Sequence, residues 1–225
     1  MCGKFAAGHL TQAEMLALME YFLYGKLLPD GSAPTSKPGF NISPTDQVQL
    51  AHAIEGATLL TSAKWQMELP KNTHKMINSK IENVDFWKDF WKDGRCVIPA
   101  LGYYEWSGAS GRKEPYFVTV KRNAPMLFFA GFYSIDRSGT KCCTIMTRPA
   151  AKEIAHLHPR MPVILSPDEI QDWLGNVTTA DQAQETLGTS HAGRFEYHRV
   201  KPIDRKSDGP DLIEPYDPPQ ASFDF

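Results

Sequence analysis

The run Cys96-Val97-Ile98-Pro99-Ala100-Leu101-Gly102-Tyr103-Tyr104-Glu105-Trp106 opens the part of the chain that decides the fold. Three further runs follow it, Tyr116 to Val120, Met126 to Tyr133 and Cys143 to Thr147. They are rich in β-branched and aromatic residues, and Gly and charged turns separate them at hairpin-like spacing. Such a series predicts sequential strands that pair with their neighbours.

Working outward, two short strand-like runs precede this block near residues 47–52 and 57–63, and one more follows at Phe195 to Val200. Helices are predicted at three places. Thr11 and Glu14 have capping-box spacing ahead of Met15, Leu18, Met19 and Phe22. Phe86, Trp87, Phe90 and Trp91 repeat as one amphipathic helical face. Ser166-Pro167-Asp168-Glu169 reads as a third helix start, with Pro in the first turn. Residues 25–40 are rich in Gly, Pro and Ser and read as a long loop. Parallel βαβ alternation is absent, so the expected class is a mostly antiparallel α+β domain. One domain is expected over residues 1–206, followed by a mobile acidic, Pro-rich tail at 207–225.

Composition excludes several classes. A chain of 225 residues with 22% charged and 42% hydrophobic side chains is neither disordered nor built for a membrane. No run approaches the roughly 18 apolar residues of a spanning helix, and the N-terminus lacks a secretory pattern. The cytoplasm is the expected compartment. The four cysteines, at 2, 96, 142 and 143, fit neither a disulfide framework nor a metal motif, so reduced thiols are expected. Net charge is −2, yet residues 1–206 carry 24 basic and 21 acidic side chains, which leaves room for a basic groove.

Position 2 is the most informative residue. Removal of Met1, which occurs when the second residue is small, gives Cys2 a free α-amine beside its thiol. Their ordinary pKa values, about 7.7–8.0 and about 8.5, leave both reactive near neutrality. An amine and a neighbouring thiol together convert an aldehyde into a five-membered thiazolidine, which an internal cysteine cannot do. Position alone equally allows a small buried hydrophobe. Glu105, in an aromatic strand, is either a proton-transfer carboxylate of raised pKa or an edge residue facing water. His158 reads as a proton shuttle beside Arg160 or as a structural histidine. His156 and His158 lack a convincing third ligand, so no metal or other cofactor is expected. Asn78 taken singly reads as a turn residue.

Together these segments resemble the SRAP family, the SOS-response-associated peptidases or abasic-site processing proteins. The resemblance rests on Met1-Cys2-Gly3-Lys4-Phe5, Phe40-Asn41-Ile42-Ser43-Pro44, Asn78-Ser79-Lys80-Ile81-Glu82, Gly102-Tyr103-Tyr104-Glu105-Trp106, Lys113-Glu114-Pro115-Tyr116, His158-Pro159-Arg160-Met161-Pro162 and Gly209-Pro210-Asp211-Leu212-Ile213-Glu214-Pro215. It implies a pseudo-barrel core with flanking helices and a narrow positive channel for single-stranded DNA. It further implies a crosslink between Cys2 and the ring-opened sugar of an abasic site, shielding the lesion. The catalytic group so implied is Cys2, Asn78, Glu105 and His158. Lys4, Lys80 and Arg160 would meet phosphates, and Asn41, Pro44, Trp106 and Thr147 would line the strand path. The crosslink would be stoichiometric or slowly reversible, with peptidase or lyase-like activity open. Two rival readings are an N-terminal-nucleophile cysteine hydrolase and a non-catalytic single-strand binding module.

Three departures from the family pattern affect the grip on DNA. Lys4 and Lys80 stand where arginine is common, keeping charge but losing the bidentate fork. The stretch Leu69 to Lys75 has no aromatic residue where the family often carries a tryptophan. The polar residues around Asp204-Arg205-Lys206 also differ.

Overall fold

A computed structural model describes residues 3–23, 27–29, 39–68, 75–109, 111–121, 126–175, 187 and 194–218. In chain order the elements are β1 (Phe5–Ala6), α1 (Gln12–Leu23), β2 (Leu27–Pro29), β3 (Gln47–Ile54), β4 (Ala57–Trp65), β5 (Met67–Glu68), β6 (Lys75–Met76), β7 (Asn78–Lys80), α2 (Val84–Trp87) and α3 (Phe90–Asp93). Then come β8 (Arg95–Ala100), β9 (Gly102–Ser107), β10 (Glu114–Lys121), β11 (Leu127–Ile135), β12 (Lys141–Pro149), β13 (Arg160–Pro162), β14 (Ile164–Leu165), α4 (Pro167–Leu174) and β15 (Arg194–Arg199).

The expected α+β class is what the chain forms, and its core is a closed ring. Strands run β12-β11-β8-β3-β4 by antiparallel pairing, and β12 then meets β4 in parallel at Cys142↔Lys64 and Cys143↔Trp65. Closure removes two exposed strand edges. A second sheet, ordered β1-β9-β10-β15, lies against the ring. Its inward face sends Tyr103, Val118 and Phe195 into one apolar cluster with Phe129, Trp65 and Ile98. Its other face packs Tyr104 and Phe117 against Phe40 and Leu212. The helices cover the ring elsewhere, with Met19, Trp87, Trp91 and Trp173 in a third cluster.

Leu101 alone separates β8 from β9, so the chain changes sheets there. Gly102 permits the crossing: a Cβ on it would meet the Phe117 ring at 2.4 Å and the Val118 carbonyl at 2.5 Å, so no larger residue fits.

Local signals hold at both capped helices. Thr11 and Glu14 exchange hydrogen bonds of 2.8 and 3.2 Å at the start of α1, and Ser166 and Glu169 do the same at α4. Three expectations need correction. The aromatic stretch at 86–91 makes two short helices rather than one, because Trp87 stacks on Phe132 while Trp91 turns between Phe132 and Trp173. Leu27–Pro29, within the expected long loop, joins β4 as the parallel strand β2, and most of that loop lies outside the described residues. The segment after Val200 is not loose up to residue 216. Asp208 Oδ1 accepts the Phe40 amide at 2.7 Å, Leu212 is fully buried, and the Tyr216 amide donates to the Arg199 carbonyl.

Candidate functional site

The N-terminal strand is bolted down by Phe5. Its ring is buried, edge-on to Trp65 at 5.2 Å and to Phe129 at 6.0 Å, and its register is Phe5↔Tyr103 and Ala6↔Gly102 on β9. The Tyr104 amide donates to the Lys4 carbonyl at 3.0 Å, so the pairing continues one residue toward the N-terminus. On its other side β1 is held by two hydrogen bonds between Phe5 and Ile42. That register carries Gly3 toward Glu105. Cys2 itself lies outside the described residues.

Glu105 follows Tyr103 on the inward face of β9, where the core gives way to a small crevice. Tyr103, Glu105, Val118, Ile154, Leu157, His158 and Arg160 line it. Glu105 is 5% exposed, and burial pushes its carboxyl up to about 7, with the Lys113 ammonium pulling the other way. The sequence alternative of a solvent-facing edge residue is thereby excluded.

His158 closes the crevice from the loop before β13. Its Nδ1 stands 3.0 Å from the Arg160 amide and 3.1 Å from the Arg160 carbonyl. The amide partners Nδ1 when that nitrogen is bare, and the carbonyl partners it when it carries a proton. Both tautomers are therefore satisfied, and a proton can be gained or given at Nε2 without reorienting the ring. Burial lowers the His158 pKa, against the Arg160 backbone hydrogen bond and with the positive charges of Lys113 and Arg160. Neutral imidazole is the resting form near pH 7.

Strand β12 is the spine on which the remaining residues are strung. β7 pairs with one side of it, at Ile145↔Asn78 and Thr147↔Lys80, and β13 with the other, at Pro149↔Arg160. The Arg160 guanidinium grips Glu82 with both terminal nitrogens, at 2.5 and 2.9 Å, and donates to the Thr147 carbonyl at 2.6 Å. Glu82 is held below the usual carboxylate range by that hydrogen bond. Thr147 is fully buried and donates to the Ser79 carbonyl, so it touches Arg160 rather than solvent. Asn78 is half-buried on β7, one strand from the crevice, and Lys80 is exposed.

A second polar knot forms around Lys4. Its ammonium donates to Asn41 Oδ1 and Ser43 Oγ, both at 2.6 Å, and the Asn41 amide donates to the carbonyls of Asp204 and Ser207. Asn41 is nearly buried and Pro44 half-buried beside it. Trp106 lies on the outer face of β9, opposite Glu105. The structure thus gathers Glu105, His158 and Arg160 round one crevice and Lys4 with Asn41 round another point, leaving Asn78, Lys80 and Trp106 separate. Sequence reasoning gave no role to Glu82 or Asp208, whose partners lie 78 and 168 residues away.

Cys96, Cys142 and Cys143 are free, buried thiols, and burial raises the pKa of each. None of the three is a reactive thiolate. Among the described residues no group of three His, Cys, Asp or Glu side chains is placed to hold a metal, and no helix is long and apolar enough to cross a membrane.

Comparison with known proteins gives a consistent result. The family model described as SOS response associated peptidase (SRAP) matches residues 1–203. Abasic site processing protein YoqW of Bacillus subtilis is 28% identical over 230 residues, spanning 95% of this chain and 99% of its own. Abasic site processing protein YedK of Escherichia coli is 26% identical over 229 residues, spanning 96% and 100%. A crystal structure of a phage-related protein from Bordetella bronchiseptica superposes with a TM-score of 0.71 at 25% identity, over 89% of this chain and 95% of that one.

Proposed function

The chain belongs to the SOS response associated peptidase family, and on that premise we propose that it processes abasic sites in single-stranded DNA through a covalent bond to Cys2. The observation that supports this most is the register of β1 on β9, which brings Gly3 to Glu105. Gly3 is the first described residue, so the described strand ends level with Glu105, the carboxylate of the crevice.

Once Met1 is removed, the α-amine of Cys2 attacks the aldehyde carbon C1′ of the ring-opened sugar. A C–N bond forms, the carbonyl electron pair moves to oxygen, and that oxygen takes a proton. Loss of water leaves an imine. The Cys2 thiolate then adds to the imine carbon, the nitrogen takes a proton, and the thiazolidine closes. One water is released overall, and nothing is oxidised or reduced.

Glu105 suits the proton traffic. With its pKa near 7, both of its forms are present at neutral pH, so it can take a proton from the amine and return one to the departing hydroxyl. His158, neutral at rest, suits the proton transfer that opens the sugar. Lys4 and Arg160 face phosphates, and Pro44 and Asn41 border the strand path. For Asn78, Lys80 and Trp106, which stand apart from the crevice, the roles of orienting the intermediate, meeting a phosphate and bordering the strand rest on the family resemblance alone. Thr147 acts through Arg160. The protein works as a cytoplasmic monomer, associated with the nucleoid while bound.

The test is direct. Met-processed protein is mixed with a single-stranded oligonucleotide carrying one abasic site, and an adduct that survives SDS and heat is sought. It is expected with wild type and absent with Cys2→Ala or with an N-terminal tag retained. No adduct from intact, processed wild type overturns the proposal.

A further inference from the structure

An abasic sugar offers no base to hold, so grip on such a strand has to come from phosphates and from the bases beside the lesion. The segment Leu69 to Lys75 contains no Phe, Tyr or Trp to provide it. Aromatic surface is present elsewhere. Directly paired residues of antiparallel strands project on one face, so Glu105, Tyr116 and Arg199 share a face of the second sheet, with Tyr103, Val118 and Tyr197 on the adjoining pairs. The inner part of that face is core. Its outer part is not: Tyr116 is half-buried and Tyr197 is 41% exposed.

The rings are contiguous. Tyr116 and Tyr197 stand 6.4 Å apart between centroids, and the exposed His156 meets Tyr197 edge-on at 5.1 Å. His156 precedes His158 by two residues, and the Ser107 hydroxyl reaches its carbonyl at 3.5 Å. The aromatic surface therefore runs unbroken from the Glu105–His158 crevice across β10 and β15. A single exposed tyrosine needs no explanation. Three adjoining rings continuous with a crevice of this chemistry do. Lys113 is exposed at the same border, near enough for its charge to act on Glu105 and His158.

We propose that Tyr116, Tyr197 and His156 form a stacking shelf for the nucleobase next to the abasic site, with Lys113 on the intervening phosphate. The shelf rests on reading the crevice as the site for the abasic sugar. Stacking needs only a π-face, so the subsite accepts any of the four bases. It gives this chain an aromatic hold on the strand at a place other than residues 69–75.

Oligonucleotides carrying one abasic site and 2-aminopurine immediately on its 5′ or its 3′ side test the shelf. Binding of wild type is expected to quench fluorescence on one side only. Tyr197→Ala and His156→Ala each abolish most of that quench and raise Kd about fivefold or more, whereas Tyr197→Trp restores both. Both positions are exposed, so both variants are expected to fold. Equal quench and Kd in wild type, Tyr197→Ala and His156→Ala overturn the shelf, whether or not adduct forms. Side-specific quench that Tyr197→Ala removes, with no adduct from wild type, upholds the shelf as a single-strand site and overturns the covalent reading alone.

Discussion

Two consecutive strands each bury one charged side chain, and the two are treated in opposite ways. Arg95 opens β8 at 4% exposure, and Glu105 sits in β9 at 5%. Arg95 is fully provided for: its guanidinium donates to the Gly175 carbonyl at the end of α4 and lies 5.6 Å over the Trp173 ring. Burial lowers its pKa, with Asp93 opposing, and the group stays charged. It ties a helix end to the ring, as cations near helix C-termini do. Glu105 faces a crevice of mostly apolar side chains with a histidine across it, and its carboxyl titrates near 7. Burial disfavours the charged form of both; what separates architecture from chemistry is that a guanidinium starts so far above neutrality that it stays charged, whereas both forms of Glu105 coexist near pH 7.

Glu105→Gln is the sharpest way to break that comparison. In the fold the carboxyl titrates at about 7 rather than 4.5, so the protonated form is the one favoured. Its contribution to stability is whole below about pH 4.5 and is lost as the pH rises through about 7. The neutral isostere avoids that loss. Denaturant titrations are expected to find Glu105→Gln more stable than wild type at pH 8, by on the order of 3 kcal/mol, and equal to it at pH 4.5. The same variant slows adduct formation by about 100-fold or more. A residue that gains stability while losing activity is held in place for chemistry. Equal stability at both pH values would mean that the carboxyl titrates normally.

Arg95→Ala should do the reverse. It removes the partner of the Gly175 carbonyl, the ring contact and buried volume, a loss of about 2–4 kcal/mol. Thermal melts are expected to fall accordingly, while the adduct rate per folded molecule is unchanged. A slower rate in the remaining folded fraction would show that α4 and the crevice are coupled, and the division between the two strands would fail.

How far the sequence reaches follows the same division. Capping boxes and strand runs are local, and they place α1, α4, β3, β4 and β9 correctly. Glu105 and His158 taken singly stayed open between chemistry and structure; only the family resemblance grouped them, and their sharing of one crevice is a tertiary fact. The ring closure at Cys143↔Trp65 joins segments 78 residues apart in parallel, for which no periodicity gives notice. Asp208 binding the Phe40 amide and Asn41 binding the Asp204 carbonyl are likewise tertiary facts, which is why a Pro- and Asp-rich segment reads as loose when it is a clasp. Glu82 stood in a recognised run, but its hold on Arg160 depends on β7 and β13 flanking β12.

Glu82 supplies the smallest effect and a third kind of charge, exposed but committed. Its carboxylate is 46% exposed and takes both terminal nitrogens of Arg160, whose side chain is 16% exposed. A carboxylate and a phosphate present similar paired oxygens to that fork, so a strand phosphate reaching Arg160 meets a group already bound there. Exposed ion pairs contribute little to stability, and Glu82→Gln is expected to leave melting unchanged. Removing the charge should instead favour the phosphate: Kd for single-stranded DNA is expected to tighten about threefold, with a slightly steeper dependence on salt. Weaker binding by a similar factor, measured in the same titration, would assign Glu82 the opposite work, holding the Arg160 fork in the position a phosphate needs. In either outcome the adduct rate at saturation is expected to stay that of wild type, because on the proposed reading Glu82 acts on the grip and Glu105 on the bond.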